Sequence, residues 1–396
     1  MDFSFSPAEL RFAAEARGWL EANLPAAWRR DHCWTRVEEP LWLEVARAWQ
    51  RLLHDGGWAA VAWPREHGGR AATPVERWLF DQALDEVGAP RPPAASYVDL
   101  IGPALLRHGS ETQRRRFIPP LLSGEELWCQ GFSEPGAGSD LGALRTRAER
   151  QGDALVVNGQ KVWTSHADIA DWCFLLCRTE AEAPKHKGLS LLLVDMRSPG
   201  VTVRPLRQMT GDAEFCEVFF EDVRVPADHL VGAPGSGWQI AMGILAHERG
   251  PVWTFTFQRK IRRSLEDLLH TARAHPCGAR ALRDPVFRQR LTQVWIEVEL
   301  LRLAGYRSLT RLLRNRGEPG TESSIEKVLG SETDQHLQDL ALDLFGAYGP
   351  ITDGPRAIEG GSRLRGYLYA RSETIMGGTS EIQRNLIAQR LLGLPR

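Results

Sequence analysis

The spacing of apolar residues changes period twice along this 396-residue chain. Up to about residue 124 they recur every three to four positions, as on amphipathic helices. Over 125–235 they fall instead in short runs rich in β-branched and aromatic residues, punctuated by Gly188, Pro199-Gly200, Gly211-Asp212 and Pro226. From 236 onward the helical spacing returns. One kind of element cannot satisfy both periods, so the chain must be α+β in the order α, β, α. The expected domains are a helical one over 1–124, a β-barrel or sandwich over 125–235 and a four-helix bundle over 236–396.

Local signals sharpen this outline. Ser6-Pro7-Ala8-Glu9 reads as a helix start, with Ser at the N-cap, Pro at the first helical position and Glu at the third. Further helical patterns run over 41–53, 74–87 and 97–108, with the loop Trp63–Arg70 between the first two. In the β segment, Val156–Trp163 predicts a hairpin turning at Asn158-Gly159. Strand-like runs follow at 172–177, 189–194, 201–204 and 215–220. The last segment predicts helices over 238–275, 285–314, 321–346, 355–372 and 379–392.

Composition narrows the function. With 43% hydrophobic and 25% charged residues the chain is that of a soluble globular protein. A net charge of -1 offers no basic face for nucleic acid, so Arg114-Arg115-Arg116 and Arg262-Arg263 are expected on solvated helix faces. No apolar run is long enough to span a bilayer, and Met1–Ser4 does not resemble a signal peptide. Six cysteines form no C-x-x-C pair and no zinc spacing, so no metal site is expected. Cys173 and Cys177 lie in an apolar run and read as buried free thiols, consistent with a reducing, cytoplasmic location.

Three motifs carry chemistry. Phe132-Ser133-Glu134-Pro135-Gly136-Ala137-Gly138-Ser139-Asp140 is a loop whose glycines let backbone N–H groups approach an anion or a flat ring. The second is Gly159-Gln160-Lys161-Val162-Trp163-Thr164-Ser165, and the third is Gly377-Gly378-Thr379-Ser380-Glu381-Ile382-Gln383-Arg384. In this order, and over essentially the whole chain, they resemble the FAD-dependent acyl-CoA dehydrogenase family. The likeness is to bacterial members with Glu-Arg on the first helix of the C-terminal domain and a C-terminal Gly-Gly-Thr. The resemblance implies α,β-desaturation of an acyl-CoA in lipid metabolism: a carboxylate removes the Cα proton and flavin N5 takes a hydride from Cβ.

Residue by residue, the resemblance sets Gln130, Phe132 and Ser133 along the isoalloxazine edge, where backbone N–H groups meet the charge that builds up on reduction. Trp163 would cover the ring face, and Thr164 and Ser165 would bring hydroxyls toward N5. Ser139 would contact the coenzyme A portion or the flavin phosphates. Asp140 either joins it or caps a local turn, and Glu134 is expected to be structural. Gly346, in Phe345-Gly346-Ala347-Tyr348-Gly349, matches a loop reaching a neighbouring subunit's FAD. Asp343 and Ala347 depart from that pattern, a carboxylate near a pyrophosphate being unfavourable, and Arg273 matches a further FAD contact only weakly. Thr379 and Glu381 match C-terminal FAD contacts.

The best-known members place the base directly before Gly-Thr, where this chain has Gly377, which has no proton acceptor and would instead line the substrate. Other members carry it on the first bundle helix, followed by Arg; here that is His247-Glu248-Arg249. Ala241, Ile244 and Leu245 share the face of Glu248, so its carboxylate should be partly buried with its pKa raised toward that of a general base. Arg249 would orient it or meet the coenzyme A tail. Glu373 is the rival carboxylate, otherwise an exposed helix-end residue. Pro251 should kink or break the helix and so widen the pocket for a branched or ring-bearing acyl group.

Two other classes remain open at this level. One is a non-catalytic or half-site partner subunit that completes another chain's flavin site; the other is an oxidase or monooxygenase on the same fold. The family implies a homodimer or homotetramer, or a hetero-oligomer, and an electron-transfer flavoprotein as acceptor.

Overall fold

The computed structural model describes residues 4–28, 39–90, 93–247, 253–314 and 320–395. The chain divides into two compact units, Met1–Gln208 with Asp212–His247, and Met209–Gly211 with Glu248–Arg396.

Among the described residues the first unit opens with five α-helices: α1 (Pro7–Asn23), α2 (Glu39–Asp55), α3 (Pro74–Glu86), α4 (Pro93–His108) and α5 (Glu111–Ser123). The start signal before α1 is a full capping box. Ser6 Oγ accepts from the Glu9 N–H at 3.3 Å, and the Ser6 N–H donates to Glu9 Oε2 at 2.7 Å. Thr73 with Glu76 and Ser110 with Gln113 repeat the device at α3 and α5. Arginines 114–116 lie on α5 and pair with Glu111 and Glu126 at its surface.

Eight strands follow: β1 (Trp128–Gly131), β2 (Arg147–Gln151), β3 (Ala154–Ser165), β4 (Trp172–Arg178), β5 (Leu189–Asp195), β6 (Val201–Leu206), β7 (Phe215–Pro226) and β8 (Leu230–Val231). They form one sheet in the order β6-β7-β3-β2-β4-β5-β8, with β1 parallel to β4. The apolar runs of β4 and β5 are buried on both faces, which is why they show no alternation. Trp172, Phe174, Leu176, Leu191 and Leu193 join Ile101, Leu105, Phe117 and Leu121 of the helices. Cys173, Leu175, Cys177, Leu192 and Val194 point the other way, toward Val218 and Val223 of β7. The cysteines at 129, 173, 177 and 216 are buried free thiols. Helix α6 (Gly237–His247) closes the unit, with Ile240, Ala241 and Ile244 in the same core as the helices.

The expected turn at Asn158-Gly159 does not occur. Strand β3 runs straight through it, with register shifts against β7 on either side of Asn158 and again between Lys161 and Thr164. A Cβ at Gly159 would sit 2.4 Å from Thr146 Oγ1, so close strand packing, not a turn, requires this glycine. The hairpin is between β2 and β3, turning at Gly152 with φ 66°.

The second unit is helical: α7 (Trp253–Ala274), α8 (Pro276–Ala281), α9 (Pro285–Arg314), α10 (Ser323–Phe345), α11 (Ser362–Glu373) and α12 (Ser380–Leu386), the last running into a π-helical turn over Ile387–Leu391. Helix α10 packs on α7, α9, α11 and α12. Its core holds Ile261, Leu265, Val298, Leu301, Leu337, Ala341 and Leu344. The single pattern expected over 238–275 is two helices, α6 and α7, and the break expected at Gly250-Pro251 lies outside the described residues. Helix α11 starts at Ser362, not 355, because Glu359, Gly360 and Gly361 are left-handed (φ 48°, 64° and 84°) and interrupt it.

Candidate active site

In the first unit the loop after β1 is fixed by a buried ion pair. Lys161 is fully buried on β3, and its Nζ donates to the Phe132 carbonyl and to Glu134 Oε1, both at 2.9 Å. Glu134 also accepts backbone N–H bonds from Arg145 at 2.7 Å and Thr146 at 2.9 Å. Burial opposes charge on both partners. Lys161 and the Arg145 and Thr146 donors outweigh it at Glu134, whose carboxyl lies below the usual range. At Lys161 burial prevails over Glu134, and the ammonium pKa lies below that of ordinary lysine. Glu134 and Ala137 exchange backbone bonds of 3.1 and 3.0 Å, closing the loop on itself. Glu134 is therefore structural, as expected.

Phe132 is buried edge-on against Phe174, so only its backbone is available to a ligand. Ser133 is half-buried, and its carbonyl accepts from the Val162 N–H at 2.9 Å. Gln130 is half-buried on β1. Ser139 is exposed, and Asp140 pairs with Lys185 at 2.6 Å without capping the short helical turn that follows. A Cβ at Gly136 or Gly138 would meet nothing within 4 Å, and neither residue has a left-handed φ. The fold itself asks for glycine at neither place, whereas a ligand brought against the loop would.

Two residues after Lys161 the backbone bulges. Trp163 has φ 59° and His166 φ 58°, bracketing Thr164 and Ser165. For residues with a Cβ this left-handed conformation costs about 1–2 kcal/mol. It leaves Trp163 61% exposed, edge-to-face with Phe215, and buries Thr164 with its Oγ1 unpartnered. The Ser165 carbonyl accepts from Tyr97 Oη at 3.1 Å. A presented aromatic face beside an unpaired hydroxyl and a glycine-opened loop fits a flat, polar ring such as a flavin.

In the second unit, Gly377 and Gly378 are both left-handed (φ 65° and 90°), and their carbonyls accept from Gln383 Nε2 at 3.0 and 3.4 Å. Thr379 Oγ1 caps α12, accepting from the Ile382 N–H at 3.2 Å. Exposed Glu381 stands in the first turn, its carboxyl held below the usual range by its own N–H and by Thr379. Gly346 is exposed at the end of α10, with φ 54° and open space where a Cβ would be. The carboxylate of Asp343, a departure from the family pattern, is neutralised by Arg290 at 2.7 Å. Arg273 is exposed. Glu248 and Arg249 lie outside the described residues.

Glu373 is not an exposed helix-end residue. It is 1% exposed, because the end of α11 packs against α10 and Lys260 of α7 reaches it. Lys260 Nζ lies 2.5 Å from its Oε1, Lys327 Nζ donates to its carbonyl at 2.8 Å, and Asp334 shares Lys260. Burial, reinforced by Asp334 and opposed by Lys260, pushes its carboxyl up to about 8. No local pattern signals this cluster, whose members are far apart in sequence. A lysine inside the apolar strand β3 was the available signal for the Lys161–Glu134 pair.

The sequence-expected residues thus assemble in two groups: Gln130, Phe132, Ser133, Trp163, Thr164 and Ser165 in the first unit, and Gly377, Thr379 and Glu381 in the second. Three family models match the chain: acyl-CoA dehydrogenase N-terminal domain over residues 6–125, middle domain over 129–223 and C-terminal domain over 235–392. The chain is 43% identical to "Acyl-CoA dehydrogenase IpdE1" of Mycobacterium tuberculosis over 97% of both chains. The protein of that name from Mycolicibacterium smegmatis is 41% identical, again over 97% of both. Among solved structures, the "Tcur3481-Tcur3483 steroid ACAD" superposes with a TM-score of 0.85 at 31% identity, covering 100% of each chain. The ChsE4-ChsE5 complex from Mycobacterium tuberculosis gives 0.81 at 30%, also with full coverage.

Proposed function

The chain is a member of the acyl-CoA dehydrogenase family, an oxidoreductase acting on a CH–CH group, and from that premise we propose that it binds FAD and desaturates an acyl-CoA whose acyl group is bulky, branched or ring-bearing. The observation that carries FAD binding is the strained, exposed Trp163 beside the unpartnered hydroxyl of Thr164, next to a loop opened by Gly136 and Gly138. The "steroid ACAD" among its structural neighbours supports the ring-bearing substrate.

Bound FAD supplies the hydride acceptor for Cβ. The chain's own residues do the rest. Trp163 would stack on the ring, the backbone of Phe132 and Ser133 with Gln130 would meet its edge, and Thr164 and Ser165 would offer hydroxyls. Ser139, Gly346, Thr379 and Glu381 complete the cofactor's contacts, with Ser139, Arg249 and Gly377 toward the substrate. Glu248 takes the Cα proton. Gly377 offers no acceptor, and Glu373 is committed to Lys260 inside the helical core. Glu248→Gln keeps the shape and removes the base. In anaerobic titration with a panel of acyl-CoAs, the wild type should bleach and Glu248→Gln should bleach about 10²–10⁴-fold more slowly. Bleaching at the wild-type rate would remove Glu248 from the role.

A second reading is favoured by one observation, the two-component assemblies among the solved neighbours. In it the chain is one subunit of a hetero-oligomer and is colourless until its partner is added. Co-purification followed by the flavin spectrum separates the two. The electron acceptor proposed is an electron-transfer flavoprotein. Oxygen consumption with substrate and no other acceptor would point to an oxidase instead. Among the described residues no helix is long and apolar enough to cross a membrane.

A further inference from the structure

We propose that Lys161 is the positioning residue of the flavin edge, acting through a single peptide unit. The inference rests on FAD binding as proposed above. The Phe132 carbonyl and the Ser133 N–H belong to the same planar trans peptide and point in opposite directions. Lys161 Nζ holds that carbonyl at 2.9 Å, so it sets where the Ser133 N–H is aimed. The Val162 N–H holds the next carbonyl, that of Ser133, at 2.9 Å. Both peptides flanking Ser133 are thus gripped by consecutive residues of β3, and the following residue is the presented Trp163. The edge-contacting segment and the face-contacting segment are locked in register by Lys161 and Val162.

The grip is also electrostatic. An ammonium on the carbonyl polarises the peptide and makes its N–H a stronger donor, and the dry interior amplifies the effect. Lys161 is fully buried, and among the described residues the only carboxylate it meets is Glu134, which two backbone donors hold in place. Glu134 offsets the buried charge without touching the Phe132 carbonyl. The two partners therefore have separable roles: Glu134 makes the lysine tolerable, and Lys161 aims and strengthens the Ser133 donor. That donor faces the ring edge where negative charge accumulates on reduction, so it should favour reduced flavin over oxidised.

The test compares Lys161→Met, Lys161→Gln and Glu134→Gln in the FAD-loaded protein, reading FAD affinity, two-electron midpoint potential and thermal stability. All three variants are expected to lose stability. Only the Lys161 variants should weaken FAD binding, by about tenfold more for reduced than for oxidised flavin, which lowers the midpoint by about 30 mV. Glu134→Gln should not lower it, because Lys161 still reaches the Phe132 carbonyl. Lys161→Gln keeps a donor and should fall between Lys161→Met and wild type; it also carries the test if Lys161→Met fails to fold. Wild-type potential in both lysine variants, or an equal lowering by Glu134→Gln, would overturn the assignment. A wild-type protein that takes up no FAD would overturn the proposed function together with this role.

Discussion

The carboxyl of Glu373 shows how a single residue's chemistry depends on what packs around it. Four residues before Gly377 it looked like a surface acid, but it is buried against Asp334 and Lys260 and its pKa is pushed up to about 8. A pKa raised in the folded state means that the native chain holds the proton where the unfolded chain has released it. The stabilisation is complete below the unfolded value of about 4.5 and is lost as pH rises through about 8. Wild type should therefore lose stability relative to Glu373→Gln across that window, with a slope of at most about 1.4 kcal/mol per pH unit for one proton. Thermal melts of both proteins from pH 5 to 9 check this. A constant difference in melting temperature would mean that Glu373 is ionised throughout. Lys161 teaches the complementary lesson: a buried cation survives inside an apolar strand because one carboxylate and one carbonyl meet it.

At the scale of elements, β3 decides the geometry of the candidate site. Asn158-Gly159 has the composition of a tight turn, yet the strand passes through it and bulges twice. The second bulge turns Trp163 outward. Gly159 is needed because Thr146 of the neighbouring segment comes within 2.4 Å of where its Cβ would be. Gly159→Ala is expected to destabilise the chain by about 1–3 kcal/mol through this overpacking, measured by denaturant unfolding. A neutral effect would show that β3 can shift there. The capping boxes of α1, α3 and α5 were, by contrast, determined locally, because donor and acceptor lie three residues apart in sequence. Thr379 belongs with them, since its hydroxyl is engaged in capping α12.

On the scale of the whole molecule, α9 carries apolar residues on two sides. Val294, Val298, Leu301 and Leu309 are buried in the bundle, while Ile296, Leu300 and Leu303 recur at helical spacing and remain 45%, 50% and 45% exposed. An exposed apolar face on a helix whose other side is already buried is a surface on which another chain would dock. This supports the oligomer proposed from the family. Leu300→Arg should shift the particle toward a smaller mass by light scattering while leaving the circular dichroism of the chain unchanged. An unaltered mass would show that this face is not the interface.

The sequence by itself determined the α, β, α order and most helix positions, because periodicity and capping are properties of neighbours along the chain. It also placed Cys173 and Cys177 correctly as buried thiols, since an unbroken apolar run has no solvent face. Only the tertiary structure decided that Glu373 is buried, that Asp343 is neutralised by Arg290, and that Gly159 sits within a strand. It alone revealed that Lys161 grips the peptide before Ser133. Each of these depends on a partner brought close by folding from a distant part of the chain, and distance along the sequence carries no signal of that approach.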